Sequence, residues 1–177
     1  APDGSFLQYF YDHARRLTDI CDNNNCNVSN NHLHFDVNAL GDRTAEIISD
    51  TGGIKRKVAR QFDDYRRVVK LTQGTGTDQY STAYKYDPVL KRNTTIIDPR
   101  DPNPDPANVS PLIKSIESFD ARGRLRLSKD NNGADTKFAY DISDQLLSVL
   151  DPMNNPTTYV VNGFGERRQE ISPDAGI

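Results

Sequence analysis

Four side chains in the first fifth of the sequence could hold a metal ion or form a covalent cross-link: Cys21, Cys26, His32 and His34. Two thiolates and two imidazoles can make a tetrahedral zinc site. Zinc ligands normally come in tighter, stereotyped pairs, however, and His-x-His is common on exposed strand faces that bind nothing. The pattern therefore reads as a solvated strand, with no metal and no cofactor. A disulfide closing the loop Asn23-Asn24-Asn25 and a pair of free thiols both stay open for Cys21 and Cys26. The disulfide requires that the parent protein reach an oxidising compartment.

Other chemistry is sparse. No Gly-x-Ser-x-Gly elbow, Walker loop or His-Glu-x-x-His is present. Gly74-x-Gly76 is too short for a phosphate cradle, and the carboxylates Asp63-Asp64 sit where a turn would use them. The chain is thus read as a non-enzyme with no identifiable binding residues. The sequons Asn27-Val-Ser29, Asn93-Thr-Thr95 and Asn108-Val-Ser110 are what an Asn-rich sequence gives by chance.

A net charge of −3 and short basic runs such as Lys55-Arg56-Lys57 argue against nucleic acid. No apolar stretch approaches the roughly 20 residues of a membrane span. The mean hydropathy of −0.73 is compatible with a disordered chain, but 8 Tyr and 7 Phe recur at regular intervals, which argues for order.

That recurrence gives the architecture. Aromatic–Asp pairs stand at Tyr11-Asp12, Phe35-Asp36, Phe62-Asp63, Tyr86-Asp87, Phe119-Asp120 and Tyr140-Asp141, with Val161-Asn162 as a degraded seventh. Their spacings are 24, 27, 24, 33, 21 and 21 residues, a repeat period. Two residues before most anchors lies another large apolar residue, as on one face of a strand. After the anchor comes a tight polar turn, best seen in Asp120-Ala-Arg-Gly123. Then a long polar residue precedes an apolar one, as in Arg16-Leu17, Arg67-Val68 and Gln145-Leu146. One unit is a β-hairpin, and hairpins must pair side by side to hide a face. The expected fold is all-β, tandem hairpins in an extended, twisted antiparallel sheet. The whole of residues 1–177 would be one array of about seven units, with a Pro-rich insert over 98–111 as an irregular excursion open to proteases. Gly41 to Ser49 fits a helix or a strand.

Phe119-Asp-Ala-Arg-Gly-Arg-Leu125, and Tyr140-Asp141 through Asp151-Pro152 to Tyr159, resemble the YD-repeat (Rhs) family. The N-terminal Ala1-Pro-Asp-Gly4 and the C-terminal Ser172-Pro-Asp-Ala-Gly176 look like mid-unit turns, so both ends would fall inside a longer array. Similar arrays form hollow shells around a toxic domain in bacterial Rhs toxins and the C components of insecticidal toxin complexes, and teneurins are more distant relatives. The resemblance implies a wall segment of a secreted or exported bacterial shell, whose partners are the rest of that shell and its enclosed toxin domain. The self-cleaving Asp-Pro-x-Gly signature of some members is not matched by any of the five Asp-Pro pairs here. The alternative is an extracellular adhesion or glycan-binding module. Two structural expectations follow. Tyr9, Tyr11, Tyr84, Tyr86, Phe138, Tyr140 and Tyr159 should stack as rings across neighbouring hairpins. The strands before Tyr11 and after Asn162 should be open edges, with Phe6 to Phe10 and Val160-Val161 unprotected, through which the isolated chain self-associates.

Overall fold

The computed structural model of the chain describes residues 6–22, 26, 31–89 and 92–173. It is all-β: fourteen strands hydrogen-bond in chain order as one antiparallel sheet, with no helix among the described residues. Two compact units divide the chain, Ala1–Ala83 with Pro104–Ala107, and Tyr84–Asn103 with Asn108–Ile177. The first contains β1 (Leu7–Tyr11), β2 (Leu17–Asp22), β3 (His32–Val37), β4 (Arg43–Asp50), β5 (Gly53–Phe62), β6 (Val68–Thr75) and the start of β7 (Asp78–Tyr86). The second contains the end of β7, β8 (Asn93–Ile97), β9 (Lys114–Phe119), β10 (Leu125–Lys129), β11 (Asp135–Tyr140), β12 (Leu146–Leu150), β13 (Pro156–Val161) and β14 (Arg167–Ile171). The ambiguous stretch after Gly41 is strand β4, in keeping with its β-branched Thr44, Ile47 and Ile48.

Strands touch only their sequence neighbours among the described residues, so each face of the sheet is judged one row at a time. One row runs Tyr9, Ile20, Leu33 and Ile48 across β1 to β4. The row on the other face, Gln8, Cys21, His32 and Ser49, is mostly polar. The apolar side chains buried outright are small in number, namely Cys21, Phe35, Ala45, Val58, Ala83 and Ile97. Most of the rest are half-covered by their neighbours within the sheet.

The aromatic ladder differs from expectation. Tyr9 faces Ile20, Phe138 faces Val149 and Tyr159 faces Glu170, none of them aromatic. The reason is spacing. Successive anchors lie two strands apart, about 9.5 Å, beyond the roughly 4.5–7 Å at which rings stack. The intervening strand supplies an aliphatic partner instead. At the C-terminal end the last strand of the sheet is β14, after Asn162 as expected, while Val160 and Val161 are not on an edge because they pair with Gln169 and Arg167 of β14.

Between Ile97 and Lys114 no strand forms. Among the carboxylates that anchor this excursion, Asp101 accepts the most backbone amides, while Asp105 pairs with Lys70 at 3.0 Å and Asp98 accepts from the Asn131 side chain at 2.6 Å. Asp101 is only 5% exposed. It accepts the backbone N–H groups of Asn103 at 2.9 Å, Leu112 at 2.6 Å and Ile113 at 2.8 Å. The Asn108 side chain donates to the Asn103 carbonyl at 2.9 Å. Asp101→Ala leaves three N–H groups without an acceptor, at about 1–3 kcal/mol for each that stays buried. Limited proteolysis of that variant should cut within residues 103–111 several-fold faster than the parent chain; equal rates would show that Asp101 does not hold the segment.

Candidate functional site

The repeated chemistry of the chain lies in its turns. At Asp12, Asn38, Asp63, Asp120, Asp130, Asp141, Asp151 and Asn162 the same five-residue reversal recurs. The N–H of the first residue donates to the carbonyl of the fifth, and the N–H of the fourth donates back to the carbonyl of the first, at 2.8–3.4 Å. The first side chain then satisfies the two amides that point into the loop. Asp120 Oδ1 accepts from Arg122 N at 2.9 Å and Arg124 N at 3.0 Å; Asp63 Oδ1 accepts from Tyr65 N and Arg67 N, both at 2.9 Å. The fourth residue is always left-handed: Arg15, Gly41, Arg66, Gly123, Gly133, Asp144, Asn154 and Gly165. A left-handed residue there makes a bulge that matches the twist of the strands. Register shifts beside the turns, such as Phe10/Tyr11, Gln61/Phe62 and Ala139/Tyr140, are that bulge.

The fifth residue is Arg at three of these turns, and at two of them, Arg16 and Arg124, its planar fork serves two turns at once. Arg124 Nε donates to Asp120 Oδ2 at 2.7 Å in its own turn. Its Nη1 reaches the next turn, donating to the Asp141 carbonyl and to Asp144 Oδ1, both at 2.8 Å. The same guanidinium lies 4.9 Å from the Tyr140 ring centroid. Arg16 repeats the device, donating to Asp12 Oδ2 at 2.6 Å and to the Asn38 carbonyl at 2.6 Å. Arg66 joins its turn to Asp42 of the preceding one at 2.7 Å. Arg92 donates to the Gly123 carbonyl. In each unit, neighbouring turns are thus laced along one margin of the sheet by arginine.

The donors hold the turn carboxyls down. At Asp12, Asp120 and Asp151 the leading cause is the amide N–H of the residue four on, and each carboxyl lies below its ordinary range. At Asp63 burial pushes upward, but the Arg67 guanidinium and the amides outweigh it. The Arg100 guanidinium beside Asp98 takes that carboxyl down to about 2.

The sequence-derived anchors fall as follows. Tyr11, Phe62, Phe119 and Tyr140 end strands, and Asp12, Asp63, Asp120 and Asp141 open turns, with Gly123 at the left-handed position. Tyr86 ends β7, and Asp87 opens a longer turn closed by its N–H donating to the Arg92 carbonyl at 2.8 Å. The second anchor is displaced. Phe35 and Asp36 both lie inside β3, and the turn is opened by Asn38, two residues later. The aromatic–Asp pair Phe35-Asp36, just upstream, masked Val37-Asn38, which is the same pair as the seventh anchor Val161-Asn162. The mid-unit turns proposed at both termini lie outside the described residues in whole or in part, as do Asn23-Asn24-Asn25 and the sequon at Asn27.

A second cluster sits on β2 and β3. Cys21 and Cys26 are disulfide-bonded, with Cα atoms 5.2 Å apart. Asp19 lies directly opposite His34, and Cys21 opposite His32. Asp19 Oδ1 is 2.8 Å from His32 Nε2 and 2.6 Å from His34 Nδ1, and His34 Nε2 is 3.2 Å from Asp36 Oδ1. The two histidines therefore converge on a carboxylate rather than pointing into solvent. Sequence reasoning missed Asp19 because its pairing with β3 crosses a loop. In the second unit an open groove of about 520 Å³ is lined by Ser118, Arg126, Leu127, Lys137 and Phe138.

No known family matches the sequence, and no curated protein does. Solved structures are similar in fold. One is the crystal structure of TcdB2-TccC3-Cdc42, with a TM-score of 0.48 and 14% identity over 95% of this chain. TcdB2-TccC3 gives 0.46 and 12% over 96%, and the Photorhabdus luminescens Tc holotoxin pore gives 0.41 and 13% over 88%. This chain spans only 10–11% of the length of those chains.

Two outcomes follow from the turns. Asp120→Asn keeps the amide acceptor, as Asn38 and Asn162 do naturally, and should lower stability by no more than about 1 kcal/mol, the scale of one exposed ion pair. Asp120→Ala loses both amide bonds as well and should cost about 1–3 kcal/mol in urea unfolding. Equal losses would assign the turn to the ion pair instead. Acid should act through the same groups. Carboxyls depressed in the folded state contribute stability that is fully present above their unfolded value near 4 and is lost as pH falls through the folded values. On the acid side the urea midpoint should decline as pH falls between about 4 and about 2, the value for Asp98.

Proposed function

We propose that this chain is a non-enzymatic wall segment of a repeat-built shell enclosing a toxin or other cargo domain, in a secreted or exported bacterial protein. The observation that carries the reading is the ladder itself: hairpin added to hairpin in chain order, each strand touching only its neighbours, joined by one recurring carboxylate turn. Such an array lengthens by simple repetition and buries little within itself, which suits a wall whose cohesion comes from continuity. The resemblance of Phe119 to Leu125 to the Rhs repeat supplies the cargo half of the proposal. Its partners would be the adjoining repeats and the enclosed domain.

The full-length parent tests this. A domain following the array should resist protease, and resistance should fall when Asp63 and Asp120 are both changed to Ala. Immediate digestion in the unaltered protein would overturn enclosure. Specific binding of the chain on a glycan array would favour the adhesive alternative.

The same reading makes the isolated chain prone to self-association. β1, Leu-Gln-Tyr-Phe-Tyr, is uncharged, with Leu7 59%, Tyr9 50% and Tyr11 60% exposed. β14 is guarded by Arg167, Arg168 and Glu170. Light scattering over a dilution series should show association that Tyr9→Lys reduces; a monomer at every concentration would show that β1 is covered.

A further inference from the structure

We infer that Asp19, His32 and His34 form a binding site for a zinc-class divalent metal ion, clipping β2 to β3. The backbone brings the donors together in two steps. Residues two apart on β3 share a face, so His32 and His34 project side by side. The antiparallel register then sets Asp19 opposite His34 and one diagonal from His32. His32 Nε2, His34 Nδ1 and an Asp19 carboxylate oxygen all lie within 4.8 Å of one another.

Three features go beyond an ordinary hydrogen-bonded cluster. First, both imidazoles aim at one oxygen, Asp19 Oδ1, at 2.8 and 2.6 Å. Ligand atoms around a tetrahedral zinc with bonds of about 2.0–2.1 Å are about 3.3 Å apart, so Asp19 needs to draw back by about 0.5 Å from His32 and about 0.7 Å from His34. Second, His34 Nε2 has its own carboxylate, Asp36 Oδ1, at 3.2 Å. A carboxylate on the far nitrogen of a ligating histidine keeps the proton there and turns the other lone pair toward the metal. Two carboxylates beside two imidazoles also suit a divalent cation in charge. Third, side-chain exposures of 21% for Asp19, 17% for His32 and 36% for His34 leave an approach from solvent, from which water completes the coordination.

A rival donor set shares His32. Cys21 and Cys26 lie within the same reach of it, but they are oxidised to a disulfide and offer no thiolate. The Asp19 set is the one available to the oxidised chain.

Titration of the whole oxidised chain with zinc against a chromogenic chelator should give one ion per chain. Cobalt in its place should show a tetrahedral visible spectrum with no thiolate charge-transfer band. His34→Gln and Asp19→Ala should each weaken zinc binding by about 100-fold or more, and Asp36→Asn by about 10–100-fold. His13→Gln and the double change Cys21→Ser with Cys26→Ser should leave it unaltered, with circular dichroism checking that every variant keeps its strands. The proposal is overturned if the oxidised chain takes up no stoichiometric zinc, or if binding survives both His34→Gln and Asp19→Ala. It is equally overturned if zinc binds only after reduction and is lost with the cysteines, which would assign the ion to Cys21, Cys26 and His32.

Discussion

Reversing a strand within five residues leaves two amide N–H groups facing into the loop and forces one residue into left-handed backbone. In a layered domain a neighbouring element could satisfy or shield such a turn. Here, among the described residues, each strand touches only its sequence neighbours, so the turn satisfies itself, and the opening Asp or Asn does so through one oxygen. The energies rank the parts of the device. Two amide bonds to a carboxylate outweigh an exposed ion pair, which is why Asn38 and Asn162 serve where the charge is missing. The left-handed residue costs about 1–2 kcal/mol when it is not glycine. The chain accepts that cost at Arg15 and Arg66, whereas Asp144 and Asn154 are residue types that tolerate left-handed backbone. At Arg66 a compensating contact is visible, its ion pair with Asp42 of the neighbouring turn.

Arginine extends this local device between units. A lysine could neutralise the opening Asp but could not also reach a carbonyl of the next turn, because it lacks the forked, planar set of donors. Arg16 and Arg124 do both. Gln145 and Glu166, at the same position of later turns, do not lace forward in this way; there Asn162 bonds back to Glu166. Cohesion along the margin is therefore uneven, strongest at the turns closed by Arg16 and Arg124.

With little apolar burial in the chain itself, local cross-links matter more than they would in a packed core. The Asp19–His34 cluster joins β2 to β3 across the Asn-rich connection, the longest gap between paired strands of the first unit, and the disulfide ties Cys21 of β2 to Cys26 within that connection. A long connection gives the least entropic help to pairing, so this is where an added bond secures the register.

Much of this was legible in the sequence, for a definite reason. The turn contacts join residues two to four apart, so Asp120 to Arg124 could be read directly from their spacing, and the alternation of strand faces follows from a period of two. The displaced second turn was missed because the aromatic–Asp pair Phe35-Asp36 stands two residues before Asn38 and matches the repeat better than Val37-Asn38 does. What the sequence could not determine was pairing across loops of variable length. Whether His32 and His34 face solvent or Asp19, whether Tyr9 meets a ring or Ile20, and whether Val160 lies at an edge all depend on which residue stands opposite. One residue of slip would exchange the faces of a strand. Only the hydrogen-bonded sheet fixes that register, because its bulges and loops add or remove single residues that the repeat period does not record.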